Sequence, residues 1–385
     1  MTVKVSVAEL ARSSRVTAVR NFSGPGAEER AYRFAQWFMA GPLSRLHGEN
    51  ATLVARARQF CLERGLVVER AHSSRDNESG GSLVPAEFVA DFIDLRERYG
   101  VFRRNARVAK MTREQQDSLR RKGELKAYPL GVERSAPESE VRWDGIHLDA
   151  RRWGVLTRVA AELSEDAATN LGDELVGEMA RAFALSEDEC GFTGDATSNF
   201  HGIAGVTTRL RELDDTVANI AGLVEATGAT WDSVTSADMR AVVGRLPEYA
   251  DTPDTKWYCS RKFWSDVMVR IMLESGGVTA AQIETMRVKT FMTYPVEVAQ
   301  VMPRKSGAAQ VPCLFGDLRQ AARFGDRKQV EVAVTDSNKT EFEDDILTIR
   351  GIARFDINVH DVGNASADED EREAGPVIGL ITKAA

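Results

Sequence analysis

The chain has 385 residues, 43% of them apolar and 28% charged, with a formal net charge of −8. This is the composition of a globular protein with room for two or three domains. It offers no overall basic character for gripping nucleic-acid phosphates, although it suits a protein that lives beside DNA without adhering to it. No apolar run reaches the roughly 18 residues that cross a bilayer. The opening MTVKVSVAELARSSRVTAVR lacks the apolar core of a secretory signal. Cys61, Cys190, Cys259 and Cys313 fit neither a metal spacing nor a disulfide framework and read as buried, reduced thiols.

The first segment ends at the breaker Ser23-Gly24-Pro25-Gly26. Two short helices are predicted next. Ala27–Ala40 carries Phe34, Phe38 and Met39 on one side and stops at Gly41-Pro42. Asn50–Arg64 carries Leu53, Val54, Ala57 and Cys61, with Gly65 placed as a C′ glycine. Through Glu78 there are 12 Lys/Arg against 8 Asp/Glu, a mildly basic block, and the polar run His72–Gly81 reads as a link. Pro85 opens a helix with Phe88, Phe92, Ile93 and Leu95 on its apolar side. Val101–Met111 reads as an extended arm, Thr112–Lys126 is almost free of apolar residues, and alternation returns with Trp143, Ile146, Leu148, Trp153 and Val155. The span Val108–Val159 therefore reads as a two-stranded excursion with a polar tip. At roughly fifty residues it is far longer than an ordinary loop, and it needs something outside its own domain to hold.

Leu171, Leu175, Met179 and Phe183 recur every four residues, which predicts a long amphipathic helix from Ser164 to Phe192. Ser164 serves as its N-cap, and Glu165 and Asp166 place negative charge in its first turn. Such a helix is about 40 Å long at ~1.5 Å per residue. It leads into the glycine-rich exit Gly191, Gly194, Gly202 and Gly205. Next comes an α/β block. It holds a helix Trp231–Leu246 begun by Ser233 or Ser236, a strand Lys256–Cys259, a helix Arg261–Glu274 capped by Ser260, and a strand Tyr294–Val298. The chain then turns strand-rich, with Gln329–Thr335 and a long strand of period two. In the latter Leu347, Ile349, Ala353, Phe355, Ile357 and Val359 face one way, and Thr348, Arg350, Arg354, Asp356 and Asn358 the other. Packing this strand along the long helix explains both. The acidic run Asp368–Glu371 reads as a solvated loop, and Val377–Ile381 as a last strand.

No phosphate-binding, dinucleotide, zinc-protease or serine-hydrolase motif is present. The one enzymatic candidate, a hydrolase built from Cys190, Asp195 and His201, places its thiol in the last turn of a helix, where the dipole opposes a thiolate. One long helix, one long strand and one projecting arm instead describe a building block for assembly.

In this order the elements resemble the tailed-phage major capsid proteins of the Hong Kong 97-like fold, from about Gly80 to the C-terminus. The resemblance is carried by Gly80–Pro85 with Phe102-Arg103-Arg104 and Ala106-Arg107-Val108, by Glu162–Ala167, by Phe192–Asp195 with His201-Gly202-Ile203, by Tyr294-Pro295-Val296, by Leu314–Asp317, and by Arg350 with Arg354-Phe355-Asp356. It implies an α+β fold with an N-arm (76–107), an extended E-loop hairpin (108–158), a P-domain with a long spine helix and long β-strands (159–199 and 313–360), and an α/β A-domain (200–312 and 361–385). It also implies hexamers and pentamers closing an icosahedral shell around double-stranded DNA, a place in the virion, and assembly in the host cytoplasm. The implied partners are further copies of the chain and portal, scaffolding and decoration proteins, with no membrane, metal or cofactor. The assembly contacts expected from it are Arg113, Arg120, Arg121, Lys122, Lys126, Trp143, Arg151 and Arg152. Residues 1–75 occupy the position of a propeptide, are not a long coiled coil, and are expected to be retained with Phe34, Phe38, Leu53 and Ala57 on the inner side. The bacterial encapsulin shells share the fold and are the alternative reading. Some family members join an E-loop lysine to a P-domain asparagine with help from a glutamate. Here the returning strand Glu140–Val155 has no lysine, and the asparagine and glutamate positions fall at Asp345 and Ile352, so no covalent cross-link is expected.

Overall fold

The protein was analysed as a computed structural model, which describes residues 27–40, 52–66, 70–71, 81–83, 95–122, 142–160, 168–216, 222–276, 288–335, 346–364 and 372–384. In chain order the N-terminal part supplies helices α1 (Ala27–Ala40) and α2 (Thr52–Glu63) and short strands β1 (Arg70–Ala71) and β2 (Gly81–Leu83). It continues through the turn α3 (Phe102–Asn105), strands β3 (Arg107–Lys110), β4 (Gln115–Lys122), β5 (Arg142–Asp149) and β6 (Arg151–Ala160), and the long helix α4 (Ala168–Asp188). The C-terminal part supplies α5 (Val206–Thr216), β7 (Leu223–Glu225), α6 (Ser236–Arg245), β8 (Lys256–Cys259), β9 (Thr290–Phe291), β10 (Tyr294–Val298), β11 (Cys313–Gly316), β12 (Ala322–Thr335), β13 (Ile346–Val359) and β14 (Val377–Ile381).

Two sheets organise these elements. The body sheet runs β1-β2-β12-β13-β6, with β3 alongside the other end of β12. β13 lies antiparallel to both β12 and β6, and its alternation is as the sequence predicts: Ile349, Ala353, Phe355, Ile357 and Val359 are buried. Phe355 stacks on Trp153 of β6 (5.0 Å between centroids) and on Phe324 of β12 (5.4 Å), an aromatic ladder across three strands. α4 packs over this face, with Met179, Ala180 and Phe183 sharing a core with Ile349 and Ala353. Gly351 is the close approach: a Cβ there would stand 3.2 Å from Met179 Sδ. α1 and α2 complete the same core through Phe34, Trp37, Ala57 and Cys61, and Gly65 ends the pair at φ 67°. The deepest anchor is Trp37, which is fully buried and which the sequence reading omitted.

The second sheet has the order β7-β14-β11-β8-β10-β9. Its core holds Trp257, Phe315, Phe263, Trp231 and Met239.

Several expectations change. α4 does not stay α-helical to Phe192, because Glu189–Thr193 widen into a π-turn; its predicted start at 164–167 lies outside the described residues. Trp231–Leu246 is not one helix. Trp231–Ser233 form a 3₁₀ turn, and α6 is capped by Thr235 rather than Ser233 or Ser236. Thr235 Oγ1 accepts from Asp238 N–H while the Asp238 side chain accepts from Thr235 N–H, a reciprocal capping box. The Arg261–Glu274 helix has the predicted Ser260 cap but contains a π-turn at Trp264–Met268. Val101–Met111 is not uniformly extended, since α3 interrupts it. Of the expected excursion only β4 and β5 pair with each other; β3 and β6 belong to the body sheet. The predicted helix after Pro85 up to 94, the segment around Asp345 and the acidic run Asp368–Glu371 lie outside the described residues.

Candidate assembly surface

The root of the hairpin is built first. Where α3 begins, the Asp188 carboxylate accepts the backbone N–H of Val101 (2.9 Å) and of Phe102 (2.7 Å), joining the arm to the end of the long helix. Burial pushes the Asp188 carboxyl up to about 6, against the lowering effect of those two N–H donors. Arg96 pairs with the buried Glu187, and Arg103 reaches Glu187 (3.6 Å) and Asp326 (2.5 Å) while lying over the Phe324 ring. Burial, with the neighbouring Arg103 charge, lowers Arg96 to about 9, so it stays cationic at neutral pH. Both arginines are almost wholly buried, so each carboxylate beside them offsets a desolvation cost, and loss of one partner would leave a bare charge. On the outer side Arg104 and Lys256 both hold Glu297, at 2.6 and 3.2 Å. β3 then runs parallel to β12, and the arm leaves the body from a fixed base.

β4 and β5 pair from Gln115↔Asp149 to Lys122↔Arg142 as a separate two-stranded sheet. Among the described residues its buried apolar side chains are few: Met111, Leu148 and Ala150 form one small cluster, with Ile146 buried beside Leu148 on β5. Two bonds tie its base to β13: Asp149 N–H donates to Asp356 (2.7 Å), and Asn358 Nδ2 donates to the His147 carbonyl (2.8 Å). Directly opposed on the strands, His147 Nδ1 lies 2.5 Å from Asp117, and that bond raises the imidazole above its ordinary range.

A cleft of about 820 Å³ opens at this base, lined by Arg113, Glu114, Gln115, Asp149, Ala150, Arg151, Arg152 and His201. Three of the expected contact residues, Arg113, Arg151 and Arg152, are thus brought to one place. Arg151 is paired with Asp149 at 2.6 Å. Arg113 and Arg152 are exposed, and among the described residues neither has a partner within the chain. Arg120, Arg121, Lys122 and Trp143 fall at the outer end of the β4–β5 ladder, their side chains outside the description, and Lys126 lies outside the described residues. The sequence reading missed Glu114, which lies 3.3 Å from Arg327 and 3.7 Å from Arg354 and so links the hairpin base to β12 and β13. It also missed the buried Arg96, Arg103, Glu187 and Asp326; a charged pair far apart in sequence carries no local signal.

The structure does not assemble Cys190, Asp195 and His201 into a catalytic group. Cys190 is fully buried, and burial raises its thiol to about 12. Asp195 accepts from Thr197 N–H and Oγ1, and His201 stands edge-on to Trp153, 5.0 Å between centroids. Among the described residues no group of His, Cys, Asp or Glu is placed to hold a metal, and no helix is long and apolar enough to cross a membrane.

A long helix over a sheet of two long antiparallel strands, a free-standing hairpin at one end and a separate α/β sheet define the Hong Kong 97-like class of shell proteins. The chain belongs to the phage capsid family, whose family model matches residues 80–365. Solved structures similar to it include the capsid of an empty GTA particle (15% identity, 84% of this chain and 98% of that one, TM-score 0.55) and the capsid of the native GTA particle (15%, 84% and 97%, 0.54). A solved chain of Mycobacterium phage Adephagia aligns at 14% identity over 84% of this chain and 98% of its own, with a TM-score of 0.49. No curated protein matches by sequence. Family and fold together make this a structural capsid protein that associates with itself.

Proposed function

We propose that this chain is the major capsid protein of a tailed double-stranded DNA phage or a prophage-derived particle, closing as hexamers and pentamers into an icosahedral shell. The observation that carries this reading is the hairpin of β4 and β5, fixed at its root by buried ion pairs yet, among the described residues, supplied with few buried apolar side chains. A rigidly based ribbon with so little to bury within its own chain is stabilised by lying over a second copy. Arg113 and Arg152 at its base, unpartnered among the described residues, are then contacts to that copy, and Arg120, Arg121, Lys122, Lys126 and Trp143 extend the same contact toward the tip. In this reading 76–107 is the N-arm, 108–158 the E-loop, 159–199 with 313–360 the P-domain, and 200–312 with 361–385 the A-domain, whose tips surround the capsomer axes. Portal, scaffolding and decoration proteins are the further partners, and assembly takes place in the host cytoplasm before DNA is enclosed without sequence recognition.

Expression of the chain followed by negative-stain microscopy tests this directly. Discrete closed shells are expected, and shells recovered from producing cells should contain double-stranded DNA. Shells holding a cargo enzyme instead would favour a nanocompartment, and a stable monomer that turns over small substrates would overturn both.

A further inference from the structure

The sequence reading treated the cysteines as unrelated, because Cys259 and Cys313 are far apart along the chain. The second sheet brings them together. β8 and β11 are antiparallel, with Cys313 directly opposite Cys259. Two residues away in the same register, Trp257 and Phe315 are also opposite, and their ring centroids are 4.5 Å apart. Period two puts the cysteine side chains on that same face, and both lie fully buried in one core.

The type of pairing follows from one hydrogen bond. The Cys259 carbonyl accepts from Ala299 N–H (3.0 Å), on the β10 side of β8. In a strand the N–H and C=O of one residue point the same way, so Cys259 makes no ladder bond to β11. The Cys259–Cys313 pair is therefore of the narrow, non-hydrogen-bonded kind, with Cα atoms about 4.5 Å apart and side chains closest. That spacing lies at the short end of the range a disulfide spans, about 4.4–6.8 Å.

We propose that Cys259 and Cys313 are a latent disulfide site, a cross-strand dithiol that a small-molecule disulfide oxidises within one chain, fastening β8 to β11. One cysteine thiolate attacks the small disulfide, forming a mixed disulfide and releasing one small thiol. The second cysteine displaces the other small thiol. Two protein S–H groups become one S–S bond, and the small disulfide takes up the two electrons and two protons. Burial holds the Cys259 thiol at about 12 and the Cys313 thiol higher than usual, so in the closed sheet both stay protonated, and exchange waits for local opening. Cys61 and Cys190 sit in two other cores and serve as internal controls. The inference rests on the geometry of this sheet and not on the shell reading.

The test is incubation of the full-length protein with oxidised glutathione, with and without sub-denaturing urea to promote opening, then alkylation under denaturing conditions, digestion and mass spectrometry. The expected product joins the Cys259 and Cys313 peptides, two hydrogens lighter than their sum, with Cys61 and Cys190 alkylated. It should vanish on reduction and be absent from both Cys259→Ala and Cys313→Ala. Full alkylation of Cys259 and Cys313 even after urea-assisted incubation, stable glutathione adducts on either of them, or linkage to Cys61, Cys190 or a second chain would each overturn the proposal.

Discussion

Phe102 lies directly against the backbone of Gly191: a Cβ built on that glycine would fall 2.4 Å from the Phe102 ring. The ring cannot retreat, because it is fully buried and meets Phe192 edge-on at 5.3 Å. The π-turn that ends α4 therefore seats Phe102, the first residue of α3. Gly191→Ala should lower stability by about 1–3 kcal/mol through overpacking. In contrast, Gly244→Ala, in α6 with no atom within 4 Å of the added Cβ, should stabilise by up to about 1 kcal/mol. Urea midpoints of the two variants should move in opposite directions.

Asp188 gives the same junction a pH dependence. Its carboxyl is raised from 3.8 to about 6, chiefly by burial, so ionising it costs more in the folded protein than in the unfolded chain. Its contribution to stability is thus greatest below the unfolded value and falls as pH rises toward 6. The full span is about 3 kcal/mol at roughly 1.4 kcal/mol per pKa unit. Asp188→Asn cannot ionise and should lose that slope, while also losing part of the N–H acceptance at Val101 and Phe102. Stability curves of the two proteins should lie closest near pH 4, where both side chains are neutral, and change their separation as pH rises through 6; a separation that stays constant from pH 4 to 7 would exclude Asp188 as the titrating group.

Arg113→Glu combined with Arg152→Glu tests the cleft. Both residues are exposed and, among the described residues, without a partner, so the monomer should keep its stability within about 0.5 kcal/mol. Shell yield should nevertheless fall at least tenfold, as measured by sedimentation. Normal shells from the double variant would remove these two arginines from the contact.

Much of this architecture could be read from residue order, and the failures have a common cause. β13 was legible because alternating side chains must face opposite sides of a sheet, and α1 because Ala27–Ala40 lies between two breakers. The limits of the hairpin were not, because Arg107–Lys110 and Arg151–Ala160 alternate whether they pair with each other or with strands over a hundred residues away. The Thr235 cap was hidden among neighbouring serines that look equally suitable until Asp238 selects one. At the cleft, the sequence pointed to Arg113, Arg151 and Arg152 through the excursion, but Glu114 acquires its role only when β12 and β13 arrive beside it.

The expectation that no covalent cross-link forms can be checked on a gel. β5 and β6 contain no lysine, and Ile352, opposite Gly154 on β13, cannot transfer a proton. Boiled, reduced particles should migrate as one band near 42.4 kDa. A ladder that withstands heat and reductant would mean that other residues, such as Lys122 or Lys126 with Asn338, supply the bond.

The N-terminal helices make a prediction about processing. Trp37 and Ala57 share a core with Met179 and Phe183 of α4, so α1 and α2 cover the long helix rather than trail from it. Trp37→Ala should cost about 3–5 kcal/mol. Intact-mass measurement of assembled particles should include residues 27–66; a mass starting near Ser73 would mean this cover is removed.

The order of strands also bears on synthesis. In the second sheet β14, made more than 150 residues after β7, lies between β7 and β11, and in the body sheet β13 lies between β12 and β6. A polypeptide still emerging from the ribosome therefore has a gap inside each sheet, and its hairpin has no finished body to project from. A chain that stops before β14 leaves β7 and β11 without the strand that joins them, so the second sheet closes only once Val377–Ile381 has been made.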